Sequence, residues 1–257
     1  VELTAFAKSL PEDDVSSLKR SKAFSEKTRV YDHFEQLLEK EELDVVAVCL
    51  PYYRNAEASI AAARRGLHVV SEKPVATTLA DLAALKEAVG RAKVRLTSLM
   101  NMRCFPPYRA ARKAVQDGLI GEPILLTSQK SYRFGTARPW FYKDLKTYGG
   151  TIPWAGIHSI HYMRWTSGRK YLRVSAWHGN NDHPEYPGFQ DHAGVLFKLD
   201  NGGTALPNLD YLRPETAPTH GDDRLRIAGS EGLLEVLGAD NRVTLITATD
   251  GPRELEL

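Results

Sequence analysis

The chain has 257 residues, a net charge of +2, 42% hydrophobic and 26% charged residues, and scattered basic side chains. That is enough chain for a large core in one or two domains, and the charge balance gives no electrostatic case for nucleic acid or membrane binding. No apolar stretch approaches the roughly 18 residues of a spanning helix, and two cysteines make no disulfide framework. A reducing cytoplasm is the default expectation.

Val1 to Ala7 reads as a strand that opens the chain with no lead-in, which predicts a truncated front end. Lys8 to Arg29 is polar and predicts a loop with a short helix, and Arg29-Val30-Tyr31 a brief strand. Asp32 is placed to cap a helix over Phe34 to Glu41, with Leu37 and Leu38 inward. The stretch from Asp44 to Pro74 organises everything around it. Val45 to Leu50 is a short apolar run, as in a strand buried on both faces, with Cys49 a small core residue. Ala56 to Arg65 is a helix closed by Gly66, and Leu67 to Val70 a second buried strand. This is one βαβ unit with parallel strands. Ligands of such sheets sit outside the carboxyl ends of the strands, which here are Leu50-Pro51-Tyr52-Tyr53 and Ser71-Glu72-Lys73-Pro74. A site is expected at that edge.

Thr77 or Thr78 caps the next helix, with Leu79, Leu82, Leu85 and Val89 at helical spacing, and Val94 to Met100 is a further strand. Residues 1–120 therefore predict a doubly wound α/β domain. Pro106 then starts a helix, and seven strand-like segments follow between Ile124 and Thr247. Turns at Asp200–Gly203 and Gly229–Gly232 predict consecutive hairpins, with one helix, about Thr151 to Thr166, among the strands. Residues 121–257 thus predict an α+β domain with a mostly antiparallel, open-faced sheet. His178, Asp182, His183, Asp191 and His192 read as a solvated polar loop, and no metal site is predicted.

Glu72-Lys73-Pro74 at a strand end, Arg103 with Phe105-Pro106, Gly118 to Pro123, and Gly149-Gly150 before Gly156-Ile157-His158 come in a familiar order. Together they resemble the glucose–fructose oxidoreductase, inositol dehydrogenase and rhizopine-catabolism (Gfo/Idh/MocA) family over nearly the whole chain. The resemblance implies a Rossmann-type domain that binds NAD or NADP, and a C-terminal sheet for substrate binding and for homodimer or homotetramer formation. It implies a sugar, polyol or related substrate, Lys73 and His158 as catalytic residues, and a cis peptide before Pro74. It also places Lys8, Leu50, Pro51, Tyr52, Asn55, Glu72, Lys73, Pro74, Asn101 and Arg103 toward the cofactor. Trp154, His161, Tyr162, Arg138 and Trp140 are the candidates for substrate contact.

Three departures qualify the resemblance. The family's first strand and G-x-G-x-x-G turn are absent, which removes most of the expected phosphate grip. Lys8-Ser9 stands where an acidic residue would hold the ribose 2′-hydroxyl, favouring a 2′-phosphate unless Lys8 is merely solvated. Trp154 stands where the family has an aspartate one helical turn before the histidine, either shaping a sugar site or packing the core. A redox-neutral sugar enzyme with bound NAD, and a ligand-sensing regulator on the same fold, are the alternatives to a dehydrogenase. A strand-like end at Glu254 to Leu257 suggests a further C-terminal helix.

Overall fold

The computed structural model describes residues 2–10, 13–136 and 138–257, so Val1, where the first expected strand begins, lies outside the described residues. Two compact units divide at Leu99/Met100, rather than after residue 120. The reason is the helix Pro106–Gln116, whose Tyr108, Ala111 and Ala114 are buried in the core of the second unit.

In the first unit, β1 (Ala5–Ala7) is followed by α1 (Ser16–Lys19), β2 (Arg29–Tyr31) and α2 (Phe34–Lys40). Then come β3 (Val45–Val48), α3 (Asn55–Arg64), β4 (His68–Ser71), α4 (Leu79–Ala92) and β5 (Leu96–Ser98). All strand pairs are parallel, but they form two sheets, β1-β2 and β3-β4-β5, over a shared core of Leu37, Leu38, Val48, Ala58, Ala62 and Val69. β3 is therefore less enclosed than its apolar run predicts: Val45 is exposed, and Cys49 lies exposed just past the strand. With β4 on one edge only, β3 lacks the second neighbour that would cover it. Gly66 closes α3 at φ +79°, a conformation that a side chain would strain, as its position predicted. The cap of α2 differs. His33 occupies it without a side-chain bond, because Asp32 is drawn instead to Lys8 at 2.7 Å. In α4 the buried face is Leu85 and Ala88, while Leu79 and Leu82 stay exposed in the first turn.

The second unit runs α5 (Pro106–Gln116), β6 (Pro123–Tyr132), α6 (Leu145–Tyr148), α7 (Ile157–Ser167), β7 (Tyr171–Gly179), β8 (His192–Leu199) and β9 (Thr204–Asp210). It continues with β10 (Gly221–Gly229), β11 (Gly232–Leu237), β12 (Arg242–Thr247) and β13 (Arg253–Glu254). The eight strands lie in the order β13-β12-β11-β10-β6-β9-β8-β7, antiparallel except for β6 beside β9. Strict alternation selects the buried face: Val195, Phe197 and Leu199 of β8 join the core with α5 and α7, and Leu196 and Lys198 point away. Trp177, Leu196 and Leu206 stand exposed on β7, β8 and β9, with Trp177 opposite Gly194 and Leu196 opposite Ser175. The helix expected from Thr151 begins as a π-helical turn, Ile152–Gly156, and becomes regular only at α7.

Candidate active site

In the first unit, β3 and β4 end side by side. Pro51 stops the ladder after Leu50, and a 3-10 turn, Tyr52–Arg54, feeds directly into α3. Asn55 is fully buried and ties the two strand ends together. Its Oδ1 accepts from Leu50 N at 3.1 Å, and its Nδ2 donates to Pro74 O at 3.1 Å and Glu72 O at 3.5 Å. Asn55 thus serves the edge from beneath, with its amide committed to backbone groups. The Glu72 carboxylate accepts from Lys73 N at 2.8 Å, and the Lys73–Pro74 peptide is cis, as expected. Lys73 is buried among its surroundings.

Lys8 follows β1 and pairs with Asp32, which follows β2; the ion pair holds the Asp32 carboxyl below its ordinary range. Arg54 donates to Ser9 O at 3.4 Å and lies over the Phe34 ring at 5.4 Å. Asp32 and Arg54 were the groups that sequence reasoning missed. The first reads as a helix cap, and the second as one more surface arginine.

In the second unit, Asn101 and Arg103 are exposed in a 3-10 turn, Asn101–Cys104. The Arg103 charge acts on His161 of α7, whose imidazole is held low, first by burial and then by Arg103 and Arg164. His158 sits one turn earlier on α7 and is buried. Burial keeps His161 neutral, so it offers a hydrogen-bonding imidazole rather than a charge. Tyr162 is a correction. It is fully buried, and its hydroxyl donates toward Arg224 O at 3.1 Å and Gln129 O at 3.3 Å, so it belongs to the core beside Tyr108. Arg138 is likewise engaged within its own loop: its guanidinium lies 5.1–5.5 Å from the Phe134, Tyr142 and Tyr211 rings and donates to Arg133 O at 2.9 Å. Trp140 on the same loop is exposed.

Trp154 lies inside the π-helical turn, and its indole donates to the hydroxyl of Tyr211, a group without any marker in the sequence. Tyr211 is bonded in turn to Tyr148, whose hydroxyl is 2.7 Å from Thr151 Oγ1. The wider π turn also changes the geometry assumed from sequence, because four residues no longer return to the same face as they do in an α-helix. The polar loop near β8 is better built than its composition suggests. Asp191 is fully buried and accepts from Asn181 N and Asp182 N, each at 2.7 Å, and from His192 at 2.5 Å. Among the described residues no group of three or more acidic, histidine or cysteine side chains is arranged to hold a metal.

The first unit's edge fits a dinucleotide. Its parallel strands end in a row of polar groups, and buried Asn55 fixes two of those ends. Comparison with known proteins agrees. The profile of an oxidoreductase family with an NAD-binding Rossmann fold matches residues 14–99, and that of the GFO/IDH/MocA C-terminal domain matches residues 108–235. The chain is 29% identical over 226 residues to the myo-inositol 2-dehydrogenase of Thermotoga maritima, covering 86% of this chain and 64% of that protein. It is 26% identical over 227 residues to the D-apiose dehydrogenase of Paraburkholderia graminis, covering 88% of this chain and 58% of that protein. The chain therefore spans about three fifths of the length of these curated relatives. A solved protein of Thermotoga maritima superimposes with a TM-score of 0.92 at 37% identity, over 99% of this chain and 77% of that one. A levoglucosan dehydrogenase in complex with NADH shares the fold alone, with a TM-score of 0.87 at 18% identity over 100% and 71% of the two chains. On these matches, made over both units in order, the chain belongs to the GFO/IDH/MocA oxidoreductase family.

Proposed function

We propose that this protein is an NAD(P)-dependent dehydrogenase of a sugar, polyol or related small molecule. The observation that carries the reading is Lys73, buried at the carboxyl edge of a parallel sheet with Glu72 before it and a cis-linked Pro74 after it. The nicotinamide, when bound, supplies hydride chemistry. The protein's share is to move the hydroxyl proton, and in this reading Lys73 accepts it as the alcohol is oxidised and returns it in reduction. His158 polarises the reacting oxygen by a hydrogen bond from its imidazole. Leu50, Pro51, Tyr52, Glu72 and Pro74 belong to the cofactor side, with Asn101 and Arg103, while Trp154, His161 and Trp140 serve the substrate. Asn55 supports the edge. Relatives named as inositol, apiose and xylose dehydrogenases support the substrate class. A cytoplasmic location fits two free cysteines and the absence, among described residues, of a helix long and apolar enough to cross a membrane.

The test uses the chain as its gene encodes it, titrated with NADH and NADPH and assayed on polyols and aldoses. Lys73→Met is expected to lower kcat by about 10²–10⁴-fold while the dinucleotide Kd changes little. Unchanged kcat in that variant would remove Lys73 from the chemistry.

A further inference from the structure

Gln190, 8% exposed and lying just before β8, reaches the start of the π-helical turn that leads into α7. Its Oε1 accepts from Thr151 N at 2.8 Å, and its backbone carbonyl accepts from the Thr151 hydroxyl. The N–H groups at the front of a helical segment find no partner inside it, so a buried one must be met from elsewhere. Here it is met by a side chain 39 residues on. Gly150 permits the approach. A Cβ there would sit 3.1 Å from Gln190 Oε1, and its φ of +99° is one that a side chain would strain.

Gln190 is in turn fixed by its neighbour. Asp191 N donates to Gly179 O at 2.9 Å, and Asp191 O accepts from Tyr211 N at 2.7 Å. The Tyr211 hydroxyl takes the Trp154 indole N–H. The turn is therefore held at its start through Gln190 and in its middle through Tyr211, and both holds lead back to one dipeptide at the end of the sheet. A π turn holds one residue more than an α turn. Relaxing it to regular helix would swing Trp154 by about 100° about the axis relative to His158.

We infer that Gln190 is a positioning residue of the substrate site: by capping the π turn it fixes where Trp154 stands relative to His158, and so which hydroxyl of a sugar or polyol is presented for reaction. The inference rests on the reading of Trp154 and His158 as substrate-side groups. Gln190 acts through the turn, not on the substrate.

The test uses the chain as its gene encodes it and has two readouts. Gln190→Met keeps the bulk of the side chain and removes the acceptor, while Gln190→Glu keeps an acceptor in place. The first readout is the near-UV circular dichroism of Trp154, isolated as the difference between the parent and Trp154→Phe. That band should fall by about half or more in Gln190→Met and persist in Gln190→Glu. The second is kinetic, on polyols and aldoses. Gln190→Met should lower kcat by about 10–100-fold and narrow the kcat/KM ratio between the best two substrates by about fivefold, with the NADH Kd within about twofold. Gln190→Glu should recover most of both. A lower denaturant midpoint with the band, kcat and substrate ratio unchanged would make Gln190 merely structural and overturn the inference. Loss of NADH affinity in step with kcat would overturn it too. If Gln190→Met does not fold, Thr151→Val is the milder variant, keeping the branched shape without the hydroxyl. It should move the band and the substrate ratio in the same direction, and no change in either sinks the idea. A parent that turns over no substrate fails the dehydrogenase reading, and the Trp154 band then decides alone whether Gln190 holds the turn.

Discussion

Asp191 is fully buried, and its carboxyl nevertheless lies below its ordinary range. Burial works to raise it and is outweighed by bonds from Asp182 N, His192 and Asn181 N. A group with a lowered folded pKa adds stability that is present above the unfolded value of about 3.9 and is lost as pH falls through the folded one. Asp191→Asn should therefore lower the urea midpoint at pH 6–7, and the deficit should shrink as the pH falls below the unfolded value of about 3.9 toward the lower folded one. A deficit that is constant across that range would assign the effect to packing. This carboxylate was illegible in sequence, where Asp182, His183, Asp191 and His192 look alike. What distinguishes Asp191 is that the 180–183 turn folds two backbone N–H groups onto it, a matter of loop conformation. Asn55 shows the complementary case. Its place at the strand edge was plain, but only the fold reveals that its amide is spent on Leu50, Glu72 and Pro74.

Secondary structure was most legible where local chemistry decides it. Of the two candidates, Thr77 and Thr78, it is Thr78 that caps α4: Asp81 N donates to Thr78 Oγ1 at 3.0 Å, and that hydroxyl donates to Asp81 Oδ2 at 2.7 Å. Thr78→Ala should cost about 1 kcal/mol of stability, read from the denaturant midpoint at unchanged m-value. The strands β8 and β9 announced themselves by alternation, and the hairpins by their glycines. The π-helical turn before α7 did not, since one extra residue per turn leaves no periodic trace in five residues. The inward face of α4 was also misjudged. A leucine at helical spacing is inward only if something lies opposite it, and nothing in the sequence says where α4 stops being covered.

For the molecule as a whole, the family's order of motifs made both units legible, while their division was displaced because α5 packs on the second sheet. The uncovered face of that sheet carries Trp177, 77% exposed, as well as Leu196 and Leu206 on β8 and β9. Such a patch supports self-association, and we expect a homo-oligomer through this face. Trp177→Glu should shift the sedimentation coefficient toward the monomer without changing the far-UV spectrum. A monomeric parent protein would refute this assignment.

The position of β6 has a consequence for how the chain acquires its structure. It is the first strand of its sheet to be synthesised, yet both its neighbours, β9 and β10, are encoded about 80 to 105 residues later. On the ribosome β6 must therefore wait with both edges bare until most of the second unit has emerged. Such long-range pairing makes for slow folding and for strands exposed to misassociation meanwhile. The first unit, whose strands pair with partners close in sequence, can close earlier. The second unit would therefore depend most on chaperones and on the pace of translation.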